Sequence, residues 1–295
     1  MCIKKNGKKR NKQSYKCKVC GKQFYEKPDI NSDEIITKYI EGKQTLSQLS
    51  QQYDASIKSI WTHIGKMRHI HKISKDKDVV ILIDTTYWGR NFGLMVIKDA
   101  YRNKILWFKF VRNETVSDYA EGVLWLINNG FKIYGIVCDG MRGLFREFRC
   151  YRVQMCQFHM EMIVRRYLTN YPDLEASREL LELSRTLPVT TREGFTYSLS
   201  AWYSKWEKFI NERSVDRKTG KTHYTHDRLR SAYLSLQYYL PYLWTYHSVT
   251  GFSIPNTNAG IESLFGRIKT LLRVHSGISR ERRIKLIKEI IARYY

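Results

Sequence analysis

The chain has 295 residues, of which 43% are hydrophobic. That is enough for a large core and two or three domains, and it excludes a disordered chain. Lys and Arg total 51 against 28 acids, a net charge of +23, which favours a polyanionic partner. No apolar stretch approaches the ~18–20 residues of a spanning helix, and no apolar segment follows the basic N-terminus as in a secretory signal. The six cysteines are too unevenly placed for a disulfide scaffold, so a reducing cytoplasm is expected and Cys-x-x-Cys reads as a metal motif.

Residues 1–28 form a basic segment containing "CKVCGKQF". Cys17 and Cys20 can converge on one ion, Gly21 permits the tight turn, and Phe24 can cover the site. Cys2 offers a third thiolate, so the segment reads as an incomplete zinc-ribbon-like site for structural Zn²⁺; the alternative is a flexible basic arm with idle thiols. Residues 29–73 form the next segment, in which 32–68 read as three helices. Ile35, Ile36, Tyr39 and Ile40 share one face. Thr45 and Gln48 make a capping box, with Leu46, Leu49 and Tyr53 inward. After the turn "DAS", Ile57, Ile60, Trp61 and Ile64 point in. Lys58, Ser59, Thr62, His63 and Lys66 point out, types that contact phosphates and base edges. That pattern describes a helix-turn-helix for DNA, against an ordinary three-helix bundle. "SKDKD", 74–78, is the expected linker.

The next segment gathers carboxylates. "VVILIDTTYWG" is an apolar run that stops at Asp84 and reads as a strand covered on both faces. Two further strands flank the turn "KDAYRNK". A helix follows with Val116, Tyr119, Ala120, Val123, Leu124 and Ile127 inward and Gly130 as its stop. "FKIYGIVCDG" is a second buried run ending at Asp139. A β-β-β-α-β order lets the first and fourth strands lie parallel and adjacent, bringing Asp84 and Asp139 to one edge of the sheet. Two such carboxylates call for Mg²⁺ or Mn²⁺; taken singly, each aspartate could simply start a turn. A third acid, Glu262, borders the apolar stripe Ile261, Leu264, Phe265, Ile268, Leu271 and Leu272, with Asn258 as N-cap. Lys269 and Arg273 lie further along the same helix, as contacts for a phosphate backbone.

"IDTTYWG", "CDG", "CQFH" and "TNAGIESLFGRIK", in this order, resemble the DDE transposases of Mutator-like bacterial insertion sequences. The likeness covers about residues 78–273. It implies an α/β, RNase H-like mixed-sheet core interrupted by an all-helical insertion, with the triad Asp84, Asp139 and Glu262 holding two Mg²⁺ (or Mn²⁺) ions. The domains then run 1–28, 29–73, 78–160 (core), 161–255 (insertion) and 256–295 (core, C-terminal helices). Cys156 and His159 match the family's Cys-x-x-His. Their role reads as a structural thiol and a hydrogen-bonding His near the active site, or as positioning of DNA, ahead of a metal shared with Cys138 or Cys150. The resemblance implies a DNA transposase that binds terminal inverted repeats and target double-stranded DNA as a homodimer or higher oligomer, cytoplasmic in a bacterium and not at a membrane. The rivals are an RNase H-like nuclease or resolvase that does not join strands, and a non-catalytic DNA-binding regulator.

In the insertion, Trp202, Trp206, Tyr238, Tyr239, Tyr242 and Trp244 read mostly as core, with a few rings free to stack on unpaired bases. Residues 211–230 read as a basic loop, with His223 and His226 solvated in it. The last helix, 279–293, carries Arg280, Arg282, Arg283, Lys285 and Lys288 on a face for DNA or a second protomer.

Overall fold

The computed structural model describes residues 2–9, 12–25, 30–67, 74–247 and 251–294, which form two compact units: Met1–His71 with Arg267–Tyr294, and Lys72–Gly266. Residues 267–294, read from the sequence as part of the catalytic core, fall in the first unit. Arg10 and Lys27 of the basic run, and the last residues of the 29–73 segment, lie outside the described residues.

In the first unit the N-terminal segment is folded and not a flexible arm. Strands β1 (Ile3–Lys9), β2 (Lys12–Cys17) and β3 (Gln23–Tyr25) make an antiparallel sheet in that order, with Tyr15 stacked on Phe24 at 5.9 Å. Three helices follow: α1 (Ser32–Ile40), α2 (Leu46–Gln52) and α3 (Ile57–Ile64). Thr45 and Gln48 form the expected capping box. The turn between α2 and α3 passes through Asp54 at φ 43°. Ile60 and Ile64 are buried, but Ile57 is exposed: it is the first residue of α3, before the helix has turned to its partners. Lys58, Thr62 and Lys66 lie on the exposed side. His63 does not; its Nδ1 meets Ser32 Oγ at 2.9 Å, and Ser59 is half-buried, its backbone N–H capped by Ser56 Oγ.

The C-terminal helices carry cations and a buried imidazole. Along α10 (Ala259–Arg273) Ile261, Leu264, Phe265, Ile268, Leu271 and Leu272 are all buried, while Lys269 and Arg273 are exposed. His275 stacks on Tyr39 at 3.8 Å and meets its carbonyl at 2.8 Å, and burial lowers its pKa. In α11 (Arg280–Tyr294) Arg282 lies 4.0 Å over the Trp61 ring, so one cation of the basic face is already engaged within the unit.

The second unit is built on a mixed five-stranded sheet, order β6-β5-β4-β7-β8, the arrangement expected of an RNase H-like core. Its strands are β4 (Asp78–Tyr87), β5 (Gly93–Asp99), β6 (Ile105–Val111), β7 (Lys132–Cys138) and the short β8 (Val153–Met155). β5 is antiparallel to β4 and β6, while β7 is parallel to β4 and to β8. β4, β6, β7 and β8 therefore all finish at one edge. Open α/β sheets bind ligands beyond such carboxyl ends. Helix α4 (Val116–Asn128) crosses from β6 to β7 and stops at Gly130, φ +81°. Its buried face is Tyr119, Gly122, Val123 and Leu126, whereas Leu124 and Ile127 are exposed. The segment is apolar almost all round, so periodicity alone misplaces the face by one position.

Gly122 sets how closely α4 lies on the sheet. A Cβ there would stand 2.6 Å from Ile97 Cδ1 and 2.8 Å from Trp107 Cε3. Gly122→Val is expected to destabilise by about 2–3 kcal/mol, because overpacking outweighs the removal of a helical glycine. Gly266→Ala in α10, with no atom within 4 Å of its Cβ position, should instead stabilise by up to about 1 kcal/mol. Denaturant titration of both variants tests the contrast.

Short α5 (Arg142–Glu147) leads to β8, and α6 (Gln157–Leu168), α7 (Glu175–Arg185), α8 (Arg192–Ile210) and α9 (Asp227–Tyr239) follow. Trp202, Tyr239 and Trp244 are buried core, and Trp206 packs half-buried against it. The stretch read as all-helical is not entirely so. β9 (Arg213–Val215) and β10 (Thr222–Tyr224) pair as a hairpin within the supposed basic loop. Asp216 accepts the Lys218 and Thr219 amides, and Gly220 supplies φ +66°; both are turn signals that the charge of the segment masks. His223 is exposed, but His226 stacks on Phe209 at 3.8 Å and meets Glu212 at 3.2 Å, so it is not a solvated loop residue. No helix among the described residues is long and apolar enough to cross a membrane.

Candidate active site

The site forms where β4, β6, β7 and β8 end. Asp84 is not the last residue of its strand. β4 runs on to Tyr87, and Asp84 pairs with Val96 of β5. Leu82 pairs with Val137 across the parallel ladder, so Asp84 and Asp139 occupy the next positions on the same face. Asp139, just beyond β7, accepts the Met141 amide at 3.1 Å. Glu262 stands in the first turn of α10. The residue before that helix, Asn258, is fully buried. Its carbonyl accepts the Ile261 and Glu262 amides, so it does open the helix. The side chain does not cap it: Nδ2 donates to Ile83 O at 3.2 Å, tying α10 to the strand beside Asp84.

The acids are gathered about Asp84 in two groups, in each of which ligand atoms from every member lie within 4.8 Å of one another. One is Asp84, Glu114 and Asp139; the other is Asp84, His159 and Glu262. Asp84 belongs to both. It is 8% exposed, and its carboxylate accepts the adjoining Thr85 amide at 2.7 Å. Burial first, and then the charge of Asp139, push its pKa well above the ordinary carboxylate range. Among the described residues no Lys or Arg makes an ion pair with Asp84, Glu114 or Asp139. Carboxylates crowded together without a cation repel, and a hard divalent cation with oxygen ligands suits them.

Glu114 was not anticipated from the sequence. It lies three residues beyond β6, directly before the α4 cap Thr115. The signal was available: β6 runs parallel to β4, so it delivers its following residues to the same edge.

The Cys-x-x-His pair divides. Cys156 is buried, accepts the Asn258 amide on Sγ at 3.3 Å, and burial raises its pKa to about 11. A thiol so held stays protonated at neutral pH. Cys138 is likewise pushed up by burial, and Cys150 is exposed. His159, in the first turn of α6, faces Glu262 with Nε2–Oε1 at 3.3 Å; its buried Nδ1 has no partner among the described residues. At the N-terminus the Lys18 amide donates to Cys2 O, and backbone amides of Cys20 and Val19 lower the Cys17 pKa. Among the described residues, Cys2, Cys17 and Cys20 do not form a group within 4.8 Å as the sheet-edge residues do.

No protein-family model matches the chain, and no curated protein sequence does. Solved structures give distant likenesses. The strand transfer complex of the Drosophila P element transposase is 12% identical, over 91% of this chain and 93% of that one, with a TM-score of 0.45. The catalytic core of HTLV-2 integrase in complex with magnesium is 16% identical, over 50% and 92%, at 0.23. A simian T-cell lymphotropic virus intasome in complex with a PP2A regulatory subunit is 12% identical, over 65% and 70%, at 0.24. Likenesses this distant leave the function to be argued from the carboxylates.

Proposed function

We propose that the chain is a DNA transposase: it binds the ends of an insertion sequence and cuts and joins DNA strands with Asp84, Asp139 and Glu262 as its acidic triad. The observation that carries this reading is the position of Asp84, which stands within ligand distance of Asp139 on one side and Glu262 on the other. Asp84, Asp139 and Glu262 would hold divalent cations, Mg²⁺ or Mn²⁺, at this edge. Divalent ions held there would lower the pKa of an attacking water or 3′-hydroxyl and neutralise the leaving oxygen.

The protein's own part is positional. The parallel pairing of β4 and β7 fixes Asp84 against Asp139. Asn258 holds the mouth of α10, and with it Glu262. His159 limits the directions open to the Glu262 carboxylate. Double-stranded DNA suits the chain's charge of +23 and the exposed Lys58, Thr62 and Lys66 on α3, a polar helix face fit for a groove. Lys269 and Arg273 would contact backbone phosphates. Two DNA ends must be held together for joining, which favours a homodimer or larger assembly.

The test uses the full chain, DNA bearing the element's flanking sequence, and a supercoiled target in Mg²⁺ or Mn²⁺. Cleavage to a 3′-OH followed by joined product is expected. Hydrolysis without joining would reassign the protein as a nuclease of the same core, and binding without cleavage as a regulator.

A further inference from the structure

We propose that Glu114 is a fourth carboxylate of the site, a ligand to the cation position formed with Asp84 and Asp139, while Glu262 and His159 flank the other side of Asp84. This inference rests on the transposase reading and adds a residue that the triad does not contain.

Three observations carry it. The first is reach: a carboxylate oxygen of Glu114 lies within 4.8 Å of oxygens of both Asp84 and Asp139. The second is placement. Glu114 is held by the buried Tyr119, whose hydroxyl donates to Glu114 Oε1 and also meets Thr85 Oγ1 at 2.9 Å. Thr85 in turn gives its amide to Asp84. The chain Glu114–Tyr119–Thr85–Asp84 fixes two acids relative to each other through one buried phenol, as a support for metal ligands does. The third is compensation. Glu114 is half-buried, and no cation among the described residues pairs with it. Nearby acids that do have a structural role are treated differently: Asp118 and Glu121 both bind Lys109, at 2.7 and 2.6 Å.

Topology explains why the fourth acid belongs here. β4, β6 and β7 run the same way, and each delivers one carboxylate to the same edge: Asp84 near the end of β4, and Glu114 and Asp139 just beyond β6 and β7. Three oxygen donors from three strands would make a harder and more rigid position than two aspartates alone. The other position, with an imidazole beside it, is the softer of the two. Unlike donor sets predict that two ions bind with unequal affinity.

The test is Mn²⁺ binding to the full cation-free chain, followed by calorimetry and by the loss of free-ion electron paramagnetic resonance signal. Glu114→Gln, which keeps an oxygen for Tyr119, is expected to weaken the tighter ion at least tenfold. Glu121→Gln on the exposed side of α4 should stay within twofold of wild type. Glu114→Asp, which keeps the charge but withdraws it by one methylene, should also lose affinity. Wild-type affinity in both Glu114 variants would overturn the inference.

Thermal melting separates a ligand from a structural prop. In chelator, Glu114→Gln should melt at or above the wild-type temperature, since one like charge is gone, and its rise on adding Mn²⁺ should shrink. A lower melting point with an undiminished Mn²⁺-induced rise would make Glu114 only a partner of Tyr119, and would also overturn the inference. Asp84→Asn distinguishes this failure from that of the functional reading: if Asp84→Asn too binds Mn²⁺ as wild type does, the sheet edge is not a cation site at all.

Discussion

Asp84→Asn is expected to lower metal-dependent strand cleavage by at least about 10³-fold, a loss of about 4 kcal/mol in transition-state stabilisation. DNA binding should stay within about threefold, because phosphate contacts dominate affinity. The reason is the double membership of Asp84. Asp139 and Glu262 each belong to one of the two groups, whereas Asp84 belongs to both. Asp139→Asn and Glu262→Gln should therefore impair cleavage as well, but leave one ion position closer to intact. Combining them with Asp84→Asn should add little, since residues that act as a unit are not additive. The same substitution has a structural signature of opposite sign. A nearly buried carboxylate among like charges costs stability unless a cation accompanies it. In chelator at neutral pH, Asp84→Asn should melt higher than wild type, by about 2–4 °C for each kcal/mol of strain relieved. In excess Mg²⁺ that advantage should shrink or reverse. Full cleavage in Asp84→Asn would end the assignment.

The sheet and its acidic pair were legible because the sequence there uses few and strong signals. Apolar runs bounded by turn residues fixed four strands, and the right-handed crossover rule placed the first beside the fourth. Asp84 then had to meet Asp139. The stripe of α10 was equally readable, since its buried positions follow a 3.6-residue period without interruption. What was not legible depended on distant partners. Leu124 and Ile127 sit on a helix too apolar for its buried face to be chosen by period. The hairpin at 213–224 is coded by Asp216 and Gly220, yet its charge reads as a loop. His226 gains Glu212 and Phe209 only once that hairpin folds back. Glu114 was missed for a different reason. An acid just before a helix cap reads as a complement to the helix dipole, and only strand direction, applied to β6 as it had been to β4 and β7, shows where it points. Local pattern specified the elements; the side chains that share a site were specified by which way each strand runs.

Asn258 provides the second large effect, at a residue that touches no substrate. It is fully buried and makes three kinds of contact: its amide to Cys156 Sγ, its Nδ2 to Ile83 O, and its carbonyl to the first amides of α10, Glu262 among them. It therefore joins three elements that each bring a side chain to the site: β4 with Asp84, α6 with His159 and α10 with Glu262. Asn258→Ala removes the link to Ile83 O and should cost about 1–3 kcal/mol, the penalty for leaving a buried polar group unpaired. Cleavage should fall further than stability does. A shift of about 1 Å at the reacting groups is enough for a loss of about 10²-fold. Asn258→Asp should be the worse of the two. It exchanges a donor for an acceptor opposite the Ile83 carbonyl and adds a buried negative charge beside Asp84, at a cost of about 3–5 kcal/mol if the charge is retained. The readouts are a denaturation curve and single-turnover cleavage at saturating Mg²⁺, where a positioning defect lowers the rate of the chemical step and leaves DNA affinity alone. Were Asn258→Ala to cleave at the wild-type rate, Glu262 would be held by α10 packing and not through this bridge.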